Sequence, residues 1–152
     1  MRLRAHAHVC AGRLKCWGQG TNGQLGTGNA NNLGDGSNEM QNLQTISVGS
    51  GHTVVEVSCG RKHVCAILSD GALRCWGKND KGQLGLGNAA DTTSSTPSAL
   101  SAVDLGTGMT AVAVACGREH TCAILKDGSV KCWHAGADRI CDVACVCVAA
   151  GR

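Results

Sequence analysis

Eleven cysteines and six histidines stand among the 152 residues, and eight of these follow a pattern. Cys59, His63, Cys65 and Cys75 form C-x3-H-x-C-x9-C, and Cys116, His120, Cys122 and Cys132 repeat it 57 positions later. Such residues offer two chemistries: soft donors for an ion such as zinc, or thiols for disulfide formation. The spacing is not that of a familiar zinc knuckle, and His63 and Cys65 sit on one continuous strand-like run, so no metal or other cofactor is assigned. Cys141, Cys145 and Cys147 are also soft donors, but they follow no repeat and receive no assignment.

The sulfurs read better as bridges. In 64–76, a three-residue Ser69-Asp70-Gly71 turn, with Gly71 left-handed, sets Leu68 against Ala72. Counting outward, Ile67 faces Leu73, Ala66 faces Arg74 and Cys65 faces Cys75. Directly opposed residues bring their Cβ atoms close enough for a disulfide. The same count sets Cys122 against Cys132, so two equivalent cross-strand bridges are expected. A two-residue Asp-Gly turn would shift the pairing by one and remove both. Cys59 and Cys116 also suit the role of small packed hydrophobes.

Other candidate chemistry dissolves on inspection. His63 and His120 have no Ser or Asp recurring beside them as a triad would require. Gly23-Gln24-Leu25-Gly26 and Gly82-Gln83-Leu84-Gly85 lack the Lys-Ser/Thr and the strand-to-helix setting of a phosphate cradle, and read as structural turns. Trp76 and Trp133 read as packing groups. No acid, base or nucleophile converges, so an enzyme is not expected. The better functional candidates are Arg61, Lys62, Arg118 and Glu119, the variable positions of two Gly-x-x-His turns that begin at Gly60 and Gly117. Loops on a rigid scaffold are where recognition concentrates.

The elements that position these residues come from an internal repeat. VSCGRKHVCAILSDGALRCW, from Val57, matches VACGREHTCAILKDGSVKCW, from Val114, and CWGQGTNGQLGTGN, from Cys16, matches CWGKNDKGQLGLGN, from Cys75. One period contains an alternating strand with valines at every second position (110–116), a Gly-x-x-His turn, a strand (121–125), an Asp-Gly turn and a returning strand (129–133). Segments 30–44 and 89–98, rich in Asn, Gly, Asp, Ser and Thr, read as solvated connections, and no helix is expected.

Together these motifs, covering His8 to Trp133, resemble the regulator-of-chromosome-condensation (RCC1) repeat in its cysteine-bearing version. The resemblance implies an all-β fold of four-stranded antiparallel blades, here two to three blades of an incomplete propeller. It also implies that His63 and His120 lock the start of a strand. The expected divisions are a truncated blade at 1–29, a complete repeat at 30–88, a partial repeat at 89–133 and a divergent Cys-rich tail at 134–152. His8-Val9-Cys10-Ala11 looks like His63-Val64-Cys65-Ala66 but reaches its Cys-Trp pair four positions early, so the first hairpin is expected to be short or malformed. A propeller needs at least four blades. A ring is therefore not expected to close within one copy, and open blade edges invite self-association.

Composition sets the outer bounds. Fourteen basic residues against eleven acidic give a net charge of +3, too weak to point to nucleic acid. The longest apolar run, 143–150, is far short of the ~18 residues of a membrane span. Cysteine usage favours an extracellular or surface location, although no signal-peptide core is evident near Met1. The expected function is a non-catalytic protein-interaction scaffold whose protein partner is unknown, a piece of a larger propeller. The alternatives are a secreted disulfide-stabilised structural or adhesive repeat, and an exchange module for a small GTPase, which the family resemblance also implies.

Overall fold

The computed structural model describes residues 4–134. The tail expected from 135 onward, with Cys141, Cys145 and Cys147, lies outside the described residues. Eight strands build three antiparallel sheets: β1 (Ala5–Cys10) with β2 (Arg13–Gly18); β3 (Val54–Cys59), β4 (His63–Leu68) and β5 (Leu73–Gly77); and β6 (Ala111–Cys116), β7 (His120–Leu125) and β8 (Val130–His134). Each sheet runs in chain order, as hairpins and meanders do.

The expected four-stranded blades are thus sheets of two or three strands among the described residues. A fourth strand survives only as single contacts. Ile46 bridges Leu14, Leu33 bridges Gly18, and the Val103 amide donates to the Leu73 carbonyl at 2.7 Å. The reason is compositional. The flanking segments are rich in Gly, Asn, Asp, Ser and Thr, which bond locally and do not sustain an alternating ladder. Among the described residues the one helical turn, a 3-10 turn at Pro97–Ala99, starts at the chain's only proline.

The first hairpin is shorter by one turn residue and otherwise regular. Ala5 faces Gly18, Ala7 faces Cys16 and Cys10 faces Arg13 across a two-residue Ala11-Gly12 turn, both residues at positive φ. The expected match of His8-Val9-Cys10 to His63-Val64-Cys65 is therefore displaced. Measured from the shared Trp-Gly end, Ala5 holds the place of His63 and Ala7 the place of Cys65. The misreading came from matching residue names, whereas the ladder is counted from the turn.

In β3 and β6 the expected valine alternation breaks at a bulge. Pairing skips between Val54 and Glu56 and between Ala111 and Ala113. The extra residue leaves the ladder and turns outward, so Val55 and Val112 are 67% and 56% exposed while Val114 is buried.

The core occupies the junctions between sheets. Leu14, Leu25, Ile46, Val54 and Trp76 fill the first junction, and Leu73, Leu84, Val103, Leu105 and Leu125 fill the second. β4 serves both: Val64, Ala66 and Leu68 face the first cluster, Cys65 and Ile67 the second, and all six of its residues are buried. With no Phe or Tyr in the chain, Leu, Val and Cys carry most of this packing.

Candidate functional site

The Gly-Gln-Leu-Gly loops receive the tryptophans of the following repeat. The Trp76 indole N–H donates to the Gln24 carbonyl at 3.1 Å, and that of Trp133 donates to the Gln83 carbonyl at 2.9 Å. Trp76 is fully buried and Trp133 half-buried. Gly26 and Gly85 make this approach feasible. A Cβ on Gly26 would lie 2.9 Å from the Trp76 Nε1, and one on Gly85 would lie 2.8 Å from that of Trp133. Asn79, buried, closes the second loop: its Oδ1 accepts from the Leu84 amide at 2.9 Å and its Nδ2 donates to the Asn88 carbonyl at 2.8 Å.

The cysteine pairs stand where the three-residue turn sets them. The Leu68 amide reaches the Ala72 carbonyl at 2.9 Å, and Gly71 has φ of +80°. Cys65 opposes Cys75 and Cys122 opposes Cys132, and both pairs are disulfide-bonded. Cys10, Cys16, Cys59 and Cys116 are unbridged among the described residues. Burial pushes the thiols of Cys59 and Cys116 up to about 11, and that of Cys16 higher still, so all three hold their protons at neutral pH.

His63 and His120 diverge in setting. His63 is fully buried, with Nε2 2.9 Å from the Thr121 hydroxyl, and that hydroxyl donates to the Gln83 carbonyl at 2.8 Å. This relay ties β4 to the next sheet and to the loop between them. Desolvation, with the charge of neighbouring His120 against it, pushes His63 down to about 4. His120 is exposed. Thr121 was not singled out from the sequence, and Gln83 only as part of a Gly-Gln-Leu-Gly structural turn. The available signal was a difference between repeats: Thr121 stands where the preceding repeat has Val64.

Three of the four interaction candidates, Arg61, Arg118 and Glu119, meet at one end of the sheets. Arg61 and Arg118 both reach Glu119, each at 3.8 Å. Arg4, His6, Cys59, Arg61, Cys116 and Arg118, with Gly60 and Gly117, line an open cavity of about 530 Å³. Lys62 stays outside it, and its carbonyl accepts from the Lys78 amide at 2.9 Å. Below the turns, the edges of β3 and β6 are joined through side chains. Glu56 accepts from the Val114 amide at 3.1 Å and Ser58 from the Cys116 amide at 2.9 Å. Three arginines against one carboxylate give the cavity a basic, hydrogen-bond-donating rim suited to carboxylates or phosphates.

Comparison with known proteins places this architecture. Models described as regulator of chromosome condensation (RCC1) repeat match residues 54–83 and 70–124. The chain is 34% identical over 117 residues to the ultraviolet-B receptor UVR8 of Arabidopsis thaliana, covering 77% of this chain and 24% of the receptor. It is 35% identical over 108 residues to the protein RCC2 homolog of Xenopus laevis, covering 71% of this chain and 19% of that protein. It is 32% identical over 126 residues to the human probable E3 ubiquitin-protein ligase HERC6, covering 82% and 11%. Among solved structures, human WBSCR16 superposes with a TM-score of 0.71 at 20% identity, covering 90% of this chain and 33% of that one. Yeast RCC1 (Prp20), solved bound to Kap60, gives 0.59 at 21% identity, covering 86% and 28%. The chain thus spans a quarter or less of these curated relatives and about a third of these structures.

Proposed function

With the chain built from repeats of the regulator-of-chromosome-condensation family, we propose that it is a non-catalytic scaffold for protein recognition, contributing blades to a larger propeller. The observation that carries this reading is the juxtaposition of Arg61, Arg118 and Arg4 around one cavity, the first two on turns held by buried inter-sheet contacts. A rigid frame bearing a cluster of donors lowers the ordering cost of binding. The partner is a protein surface, and Arg61, Arg118 and Glu119 are the residues that contact it. Lys62 flanks the contact. Nucleic acid and membrane are not partners in this reading.

The test is a charge reversal of both turns, Arg61→Glu with Arg118→Glu. Both side chains are partly or largely exposed, so the fold is expected to survive. Proteins recovered with the wild-type chain and lost with the variant are then purified and titrated directly. A purified partner that binds wild type and loses at least tenfold in affinity with the variant supports the reading; each tenfold is about 1.4 kcal/mol. Equal affinity for both chains overturns it.

A second reading is carried by the two disulfides: a repeat protein of an oxidising compartment with a structural or adhesive role. It predicts that, without reductant, protein from its native source leaves Cys65, Cys75, Cys122 and Cys132 unalkylated. Labelling at all four rejects it.

A further inference from the structure

At the junction of the second and third sheets, a ring nitrogen of His63, the Sγ of Cys65 and the Sγ of Cys116 all lie within 4.8 Å of one another. The set crosses the blades. The sequence pattern suggested Cys59 as the companion of His63 and Cys65, but the fold brings Cys116 from β6 to them instead. Cys65 is bonded to Cys75, itself fully buried, so cleaving that bridge releases a second sulfur beside the Cys65 Sγ, next to the other two donors. We propose that reduction of the Cys65–Cys75 bridge opens a Cys3His site for a soft divalent cation, zinc in the first instance, formed by His63, Cys65, Cys75 and Cys116.

The hydrogen bonds prepare the histidine. The Thr121 hydroxyl gives its proton to the Gln83 carbonyl and so accepts from the Nε2–H of His63. That tautomer leaves the ring's lone pair on Nδ1, a buried atom with no hydrogen-bond partner. A metal-bound histidine ordinarily donates its other N–H in this way. Three thiolates and one imidazole are a closed structural set for zinc. Bond lengths of ~2.0–2.3 Å at tetrahedral angles require donor separations of roughly 3.5–3.8 Å, a contraction of about 1 Å from the present limit. Cys116 lines the open cavity beside Arg61 and Arg118, which gives the ion an entry path and sets positive charge near the three thiolates.

The steps balance with a named reductant. A trialkylphosphine passes two electrons to the Cys65–Cys75 bond and becomes the phosphine oxide by taking oxygen from water, whose two protons complete the thiols. The entering cation then displaces one proton from each of Cys65, Cys75 and Cys116. Among the described residues, only this junction brings His63, Cys65 and Cys116 together, with Cys75 bonded to one of them. At the first junction Ala5 and Ala7 hold the places of His63 and Cys65, leaving Cys16 and Cys59. One ion per chain is therefore expected.

The experiment uses the full chain with Cys141, Cys145 and Cys147 changed to serine, so that those thiols do not contribute. After anaerobic phosphine reduction it is titrated with cobalt(II) and then zinc. The expected result is a thiolate-to-cobalt charge-transfer band and tetrahedral d–d bands saturating at one equivalent, erased by zinc and absent before reduction. Cys116→Ser loses the bands and Cys59→Ser keeps them. A reduced chain without the bands, or bands unchanged in Cys116→Ser, overturns the proposal. An independent readout needs no variant: zinc shields Cys65, Cys75 and Cys116 from alkylation while Cys10 and Cys59 continue to label. Equal labelling with and without zinc also overturns it.

Discussion

Gly26 offers a direct measure of what holds neighbouring repeats together. Its φ is +70°, and a Cβ there would sit 2.9 Å from the Trp76 Nε1, 3.0 Å from the Pro97 Cγ and 3.1 Å from the Ile46 Cγ2. Gly87 has the same φ of +70° with nothing within 4 Å of its built Cβ. Gly87→Ala therefore costs only the left-handed backbone penalty, about 1–2 kcal/mol. Gly26→Ala costs that plus the crowding of a fully buried indole against a packed wall, about 1–3 kcal/mol more. Urea unfolding followed by tryptophan fluorescence reads the difference, because Trp76 itself reports the junction. The expected order of midpoints is wild type, Gly87→Ala, then Gly26→Ala, with slopes unchanged. If the two variants unfold at the same midpoint, the close approach of loop and indole contributes nothing to stability, and the reasoning about the junction fails.

Three further outcomes follow from the same contacts. Because His63 is held near 4, below its ordinary value, the unfolded chain takes up a proton first as pH falls. The stability gained from keeping it neutral is complete above about pH 6.5 and is lost between there and pH 4, roughly 3 kcal/mol in all; a His63→Gln chain should show a flatter urea midpoint over that window. Asn79→Ala strips the buried Leu84 amide of its acceptor, at a cost of about 1–3 kcal/mol in urea unfolding, whereas exposed Asn29→Ala should be near neutral. Cys122→Ser with Cys132→Ser removes a bridge that closes a loop with a sequence separation of 10, and should lower thermal stability by about 2–3 kcal/mol without touching Cys65–Cys75.

Much of this was legible in the residues, for physical reasons. The Asp-Gly turns allowed two registers, and the longer one, counted from sequence, opposes Cys65 to Cys75 and Cys122 to Cys132; the Leu68 amide's bond to the Ala72 carbonyl and the Leu125 amide's bond to the Ser129 carbonyl select it. The repeat fixed the order of elements in the same way. The first hairpin resisted because Ala11-Gly12 makes a different turn, and the matching His-Val-Cys letters concealed the register that this shorter turn sets. The fourth strand resisted because periodicity cannot distinguish a ladder from a single bridge such as Ile46 to Leu14. The bulges at Val55 and Val112 were hidden by alternating letters whose parity the backbone then shifts. The cross-blade contacts, His63 to Thr121 and Cys65 to Cys116, lie 58 and 51 positions apart in the sequence, and no local pattern encodes which repeat's donors will meet.

The two-sided burial of β4 has a mechanical consequence. Its alternate side chains belong to opposite cores, so the strand cannot leave one without loosening the other. It acts as a keystone: local opening begins at the outer hairpins and reaches the centre last. A force applied to one flank is therefore felt on the other, through a single six-residue segment rather than through the length of the chain.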